Sequence, residues 1–90
     1  MKIIVKTNPT KDELDDLGVE SWGIWTKEES EFPWSYDEKE TCYLYEGDVD
    51  VETEEGTVHF KAGDLVIFPK GLDCTWKVNK AVKKRYKFGD

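Results

Sequence analysis

Apolar and polar positions along this chain follow two different periods. Near the N-terminus, Ile3-Ile4-Val5 reads as a first strand. Asn8-Pro9-Thr10 then opens a short helix. Thr10 with Glu13 fits a capping box, Asp12 and Glu13 suit the positive end of the helix dipole, and Gly18 supplies the stop. Leu14 and Leu17 give this helix one apolar stripe, enough to dock but not to stand alone. From Glu20 onward the period shortens to two residues. The cleanest alternation is Asp48-Val49-Asp50-Val51-Glu52-Thr53-Glu54, with charges facing out and apolar or β-branched side chains facing in.

Glu54-Glu55-Gly56 turns the chain into Thr57-Val58-His59-Phe60-Lys61, which points Val58 and Phe60 inward and His59 outward. Ala62-Gly63-Asp64 is another turn, followed by the apolar strand Leu65-Val66-Ile67-Phe68, which Pro69 ends. Lys70-Gly71 leads into a strand over 72–78. A last, separate strand from Ala81 to Phe88 carries alternating Val82 and Tyr86. Short strands with turns at this spacing predict an all-β barrel or sandwich. No linker, repeat or low-complexity tract divides the 90 residues, so 1–90 reads as a single domain.

Composition sharpens this picture. A domain this small buries only roughly 60% of its unfolded surface, and its four Trp, four Tyr and four Phe supply large apolar areas per residue. No apolar run approaches the ~20 residues of a membrane span and no secretory leader is apparent, which implies a cytoplasmic protein without a membrane partner. Cys42 and Cys74 lack metal-ribbon or redox-motif spacing, and in a reducing compartment they should stay thiols. Charge is unevenly placed: residues 1–56 carry 17 acidic and 5 basic side chains, residues 57–90 carry 3 and 8. Most of the basic excess lies in Lys77, Lys80, Lys83, Lys84, Arg85 and Lys87. This reads as a solvated strand face rather than a nucleic-acid patch, because the chain as a whole, at −7, would repel a polyanion.

Two stretches carry a family resemblance. In Phe32-Pro33-Trp34-Ser35-Tyr36-Asp37-Glu38-Lys39-Glu40-Thr41-Cys42-Tyr43, Glu40 is followed after six residues by Gly47. In Gly63-Asp64-Leu65-Val66-Ile67-Phe68-Pro69-Lys70-Gly71-Leu72-Asp73-Cys74, the glycines and proline keep a fixed spacing. Together these resemble the two cupin signatures, G-x5-H-x-H-x3-4-E-x6-G and G-x5-P-x-G-x2-H-x3-N. The chain looks most like the small single-domain cupins grouped with (S)-ureidoglycine aminohydrolase and the ethanolamine-utilisation cupins. The resemblance implies a cupin-type jelly-roll β-barrel with one short N-terminal helix. It keeps the turn-forming positions Gly47, Gly63, Pro69 and Gly71. The three histidine positions fall on Trp34, Tyr36 and Cys74, the glutamate on Glu40 and the asparagine on Val78.

That pattern directs the functional reading. A first-row metal needs about three or four N, O or S donors at ~2.0–2.3 Å. Glu40, Cys74 and Tyr36 are the candidates for a divalent transition metal, but Tyr36 would have to ionise and Trp34 has no acceptor. No metal cofactor is expected, and His59 lies on the outer face. Glu40 shares the inward face of its strand with Cys42 and Leu44. It is the candidate acid/base or ligand anchor, with a structural carboxylate bonded to Tyr36, Thr75 or a backbone amide as the plainer alternative. Cys74 lacks an activating neighbour and suits a buried small hydrophobe.

Trp25 and Phe68 read as core. Trp34, Tyr36, Glu40, Cys74 and Trp76 form the expected ligand-binding set for a small polar or cationic metabolite. The alternatives are a metal-dependent enzyme like (S)-ureidoglycine aminohydrolase and a barrel packed solid as an interaction module. Two-fold association through a strand edge suits all three.

Overall fold

The computed structural model describes residues 1–89, and among them the sheet is entirely antiparallel. Its strands are β1 (Ile4–Thr7), β2 (Gly23–Lys27), β3 (Ser30–Ser35), β4 (Glu40–Thr53), β5 (Gly56–Lys61), β6 (Asp64–Phe68) and β7 (Asp73–Phe88). The expected all-β jelly roll with one short N-terminal helix is what forms. One correction concerns its last part: the two strands expected over 72–78 and 81–88 are a single 16-residue strand, β7. Asn79 and Lys80, left between the two expected strands, lie within β7: Lys80 pairs opposite Asp48, and Asn79 falls at the register shift between Lys80 and Val78.

Strands β4 and β7 are the spine of the barrel. They pair with each other from Glu40↔Phe88 to Glu52↔Thr75. The first part of β4 pairs on its other edge with β6, and its second part with β5. Likewise β7 pairs with β3 along its first half and with β2 along its second. Each long strand thus serves both walls, and the bend between them falls at register shifts between Leu44 and Val49. Gly47 occupies this bend at φ 122, a region that L side chains rarely adopt. A β-carbon there would lie 2.8 Å from Val82 Cγ2 and 3.0 Å from Val82 Cα. Pro33 is tolerated within β3 because that strand pairs only with β7, leaving its other edge free of the ladder.

The inward faces build the core. Cys42, Leu44, Val49, Val51, Phe60, Val66 and Phe68 are wholly buried, as the two-residue period requires. The run Leu65–Phe68 is apolar throughout for a specific reason. Val66 and Phe68 face inward, whereas Leu65 faces out beneath a second cluster with Val19 and Trp22, against which Leu14 and Tyr43 pack.

Leu14 belongs to helix α1 (Lys11–Leu17), whose Thr10–Glu13 capping box and left-handed Gly18 cap form as expected. The stripe expected from Leu14 and Leu17 is only half used, since Leu17 is exposed. Val19–Ser21 makes a 3-10 turn, so the strand region expected from Glu20 onward begins only at Gly23, and the turn carries Val19 and Trp22 to the docking site. Among the described residues no helix is long and apolar enough to cross a membrane.

The Gly47 bend generates a direct test. Gly47→Ala should lower the urea unfolding free energy by roughly 1–3 kcal/mol, from an unfavourable φ and a clash with the Val82 backbone. Gly56 has a similar φ of 120 but open space around its β-carbon position. Gly56→Ala should therefore lose less. Equal losses at both positions would show that the close approach at Val82 does not matter.

Candidate functional site

The inward face of β4 begins with Glu40, Cys42 and Leu44, and the facing part of β7 presents Val82, Lys84, Tyr86 and Phe88. Lys84 lies directly across from Leu44 on one side and Trp25 on the other. Its side chain runs diagonally along the wall to Glu40, where Nζ donates to Oε2 at 2.6 Å. Both residues are buried, at 3% and 4% exposure. Indole rings flank the ammonium, with Nζ 4.7 Å from the centroid of Trp25 and 4.7 Å from that of Trp76. A cation removed from water is here balanced by one carboxylate and two ring quadrupoles.

These groups form one side of a cavity of about 210 Å³ lined by Trp25, Phe32, Trp34, Tyr36, Glu40, Trp76, Lys84, Tyr86 and Phe88. Trp34 and Phe88 are its solvent-exposed members, at 46% and 51%. The lining rings of Phe32, Tyr36 and Trp76 join Phe60 and Phe68 behind them in an aromatic stack that fixes the walls. Tyr36 lies parallel to Phe68 at 4.7 Å, Phe68 meets Phe60 and Trp76, and Phe32 stacks on Trp76 at 6.0 Å. Trp76 Nε1 donates to the Tyr36 hydroxyl at 3.1 Å, which ties β7 to the segment following β3. The backbone closes the same corner, with Tyr36 N donating to Leu72 O and Gly71 N to Tyr36 O.

Of the five residues expected to bind a ligand, the fold brings Trp34, Tyr36, Glu40 and Trp76 to the cavity. Cys74 is buried nearby but does not line it, and its Sγ is 3.5 Å from Trp34 O. Trp25, read from the sequence as core, is a wall of the cavity as well as a neighbour of the core. Among the described residues Glu40 bonds to the Lys84 ammonium and the Cys42 thiol rather than to the anticipated Tyr36, Thr75 or a backbone amide.

Lys84 lines the cavity, although the basic run that contains it reads from the sequence as a solvated face. Its neighbours do behave as surface cations: Lys77 pairs with Glu52 at 3.4 Å and Glu31 at 4.0 Å, and Arg85 donates to Trp22 O at 2.9 Å. The signal that could have separated Lys84 from them was parity, since it sits between inward Val82 and Tyr86. His59 does lie outside, bonded to Asp48 at 2.9 Å.

Electrostatics set the protonation states of the other groups. Burial, reinforced by the Glu40 carboxylate, pushes the Tyr36 phenol well above its usual range. Burial raises the Cys42 thiol to about 12 despite the Lys84 ammonium beside it, and raises Cys74 to about 11, with Asp73 and Glu40 adding to the effect. Both cysteines are free. Among the described residues no three His, Cys, Asp or Glu side chains come together as a metal-binding group. Tyr36 is held neutral, Cys74 is a protonated thiol, and Glu40 already has a cation.

Two predictions follow from this geometry. Glu40→Gln and Lys84→Met should each destabilise the fold by about 3–5 kcal/mol, because each leaves one buried charge unpaired. The double variant should lose far less than the sum of the two, as measured by urea unfolding in a double-mutant cycle. Strict additivity would show that the two charges do not interact in solution.

The thiols give a pH dependence. Their folded values lie above the ordinary 9.0, so their contribution to stability is complete below about pH 9 and is lost as pH climbs through the folded values. Alkylation of the urea-unfolded chain should accelerate as pH passes from 8 to 10, while native Cys42 and Cys74 stay at least ~10-fold slower. Rapid native labelling at pH 8 would contradict the burial described here.

The comparisons with known proteins agree with this architecture. Residues 14–86 match the family described as the EutQ-like cupin domain. A DUF861 family protein from Thermotoga maritima is 50% identical, with a TM-score of 0.92, over 97% of this chain and 99% of that one. The Clostridium difficile EutQ protein shares the fold, with a TM-score of 0.69 at 23% identity, over 97% of this chain and 67% of that one. No curated protein matches the chain. With its motif glycines at the bends and its glutamate inside the barrel, the chain belongs to the EutQ-like cupin family.

Proposed function

We propose that this protein is a metal-independent cupin whose barrel binds a small, neutral molecule bearing hydroxyl or carbonyl oxygens. The observation that carries the reading is the Glu40–Lys84 pair, 2.6 Å apart and buried at the wall of an aromatic cavity. In a cupin that holds a metal, the retained glutamate faces a cation. Here the cation is the chain's own ammonium, and Trp34, Tyr36 and Cys74 stand at the histidine positions.

Charge selects the ligand class. A cationic metabolite, the other ligand expected from Glu40, would have to compete with Lys84 for the carboxylate. An anion would have to compete with Glu40 for the ammonium. A neutral polar molecule meets an acceptor and a donor side by side and can engage both without separating them. Its apolar faces can lie against Trp34, Trp76 and Phe32. A volume of about 210 Å³ corresponds to roughly seven waters at ~30 Å³ each, space for a compact metabolite. That free volume also weighs against a barrel packed solid as an interaction module. Cupin membership alone does not transfer an aminohydrolase reaction, which would need a site of its own. With two free thiols, the cytoplasm is the compartment that suits the chain.

Tryptophan emission reports on the site, since Trp25, Trp34 and Trp76 line the cavity. Small polyols, hydroxyaldehydes and hydroxyketones should give saturable changes, whereas matched amines and carboxylates should not. Trp34→Ala removes an exposed wall and should abolish the response while changing stability by only about 0.5 kcal/mol. A saturable response confined to amines or carboxylates would overturn the neutral-ligand reading, and none from any class would overturn binding itself.

A further inference from the structure

We infer that Lys84 is a covalent site: its amine condenses with the carbonyl carbon of a small aldehyde or ketone held in the aromatic cavity, giving a protonated imine paired with Glu40. This deepens the proposed function by naming the reactive group of the ligand, and it rests on that reading.

Three observations support it. First, Lys84 lines the cavity although its side chain is only 5% exposed. A reactant can therefore meet it through the cavity, while bulk water has little access. Second, the partner of the ammonium is a carboxylate at 2.6 Å. Lysine becomes a nucleophile only as the free amine, and Glu40 is placed to take the proton. Third, the surroundings favour a cation at this nitrogen whether it is an ammonium or an iminium. The faces of Trp25 and Trp76, each 4.7 Å away, and the Glu40 carboxylate would stabilise either.

The chemistry balances without an added reagent. Lys84 passes a proton to Glu40, and the nitrogen lone pair adds to the carbonyl carbon. Through Glu40 a second proton moves from nitrogen to the former carbonyl oxygen, giving a neutral carbinolamine with Glu40 protonated. Glu40 then donates its proton to the hydroxyl, which leaves as water as the carbon–nitrogen double bond forms. In sum, an ammonium and a carbonyl compound become an iminium and water, and Glu40 returns to the carboxylate. Nothing is oxidised or reduced. Among the described residues Lys84 is the lysine in the lining of this cavity, whereas Lys77, for instance, is paired with carboxylates at the surface.

The test uses the whole wild-type chain with glyceraldehyde as the probe and cyanoborohydride to trap the imine, followed by peptide mass mapping over time. Lys84 should acquire the reduced adduct first, saturably, and at least ~10-fold faster than the mean of the other lysines. Glu40→Asp, which keeps a carboxylate near the amine, should slow labelling at Lys84 and leave surface labelling unchanged. Labelling of Lys84 at or below the surface rate, in protein whose emission responds to glyceraldehyde, would overturn the covalent site. Glycerol, which matches the probe's size but has no carbonyl, separates the two readings. A response to glycerol and glyceraldehyde alike without a Lys84 adduct leaves reversible binding standing and removes the imine.

Discussion

The contact between Lys84 and Glu40 governs the interior of this barrel. A carboxylate on the inner face of β4 would be a severe burden alone, and so would an ammonium on the inner face of β7. Together they satisfy one another, and the two indoles spread the remaining positive charge over ring faces. The pair also dictates what surrounds it. Aliphatic side chains could fill the same space, but Trp25 and Trp76 add electrostatic attraction to packing. Tyr36, next to a negative carboxylate, must keep its proton and accept its hydrogen bond from Trp76. Charge, aromatic wall and phenol are consequences of one placement.

The long strands make that placement possible. Glu40 and Lys84 belong to the two strands that run through both walls, so their relative position is set by a continuous ladder rather than by a loop. The bend at Gly47 curls both strands and brings Trp76, on one half of β7, to within ring contact of Trp25, which pairs with the other half. A site built from ladder residues inherits the rigidity of the sheet. Precise spacing of an amine, a carboxylate and two rings depends on such support.

The sequence made the barrel legible because glycine, proline and alternation speak directly of backbone geometry. Gly47 requires its φ, Pro69 ends β6, and Val49 and Val51 lie inside because Asp48 and Asp50 lie outside. The polar Asn79–Lys80 step separates two strands in the sequence pattern, and only pairing with β4 shows that one strand runs through it. The carboxylate half of the site was equally readable, since Glu40 holds the inward parity of Cys42 and Leu44. Its counter-ion was hidden within Lys83-Lys84-Arg85, where composition suggests solvent at every position. Parity marks Lys84 as inward, but the reason a lysine is tolerated there lies 44 positions earlier in the chain. Cys74 sits at a motif position yet misses the cavity, because a motif specifies a place on a strand and not the direction of a thiol.

The β4–β7 ladder also bears on how the molecule folds. The hairpin β4–β5 closes over a short turn, whereas β4 must also find β7, which is synthesised only after β5 and β6. Pairings such as Glu40↔Phe88 close a large loop before any contact rewards it, and topologies dominated by such contacts fold slowly. Until β7 docks, Glu40 has no cation and Trp76 has no partner on β2. Barrel closure and assembly of the cavity lining therefore draw on the same strand pairing. A partly folded chain holds a solvated carboxylate and an open sheet edge, and only the completed barrel has a cavity at all.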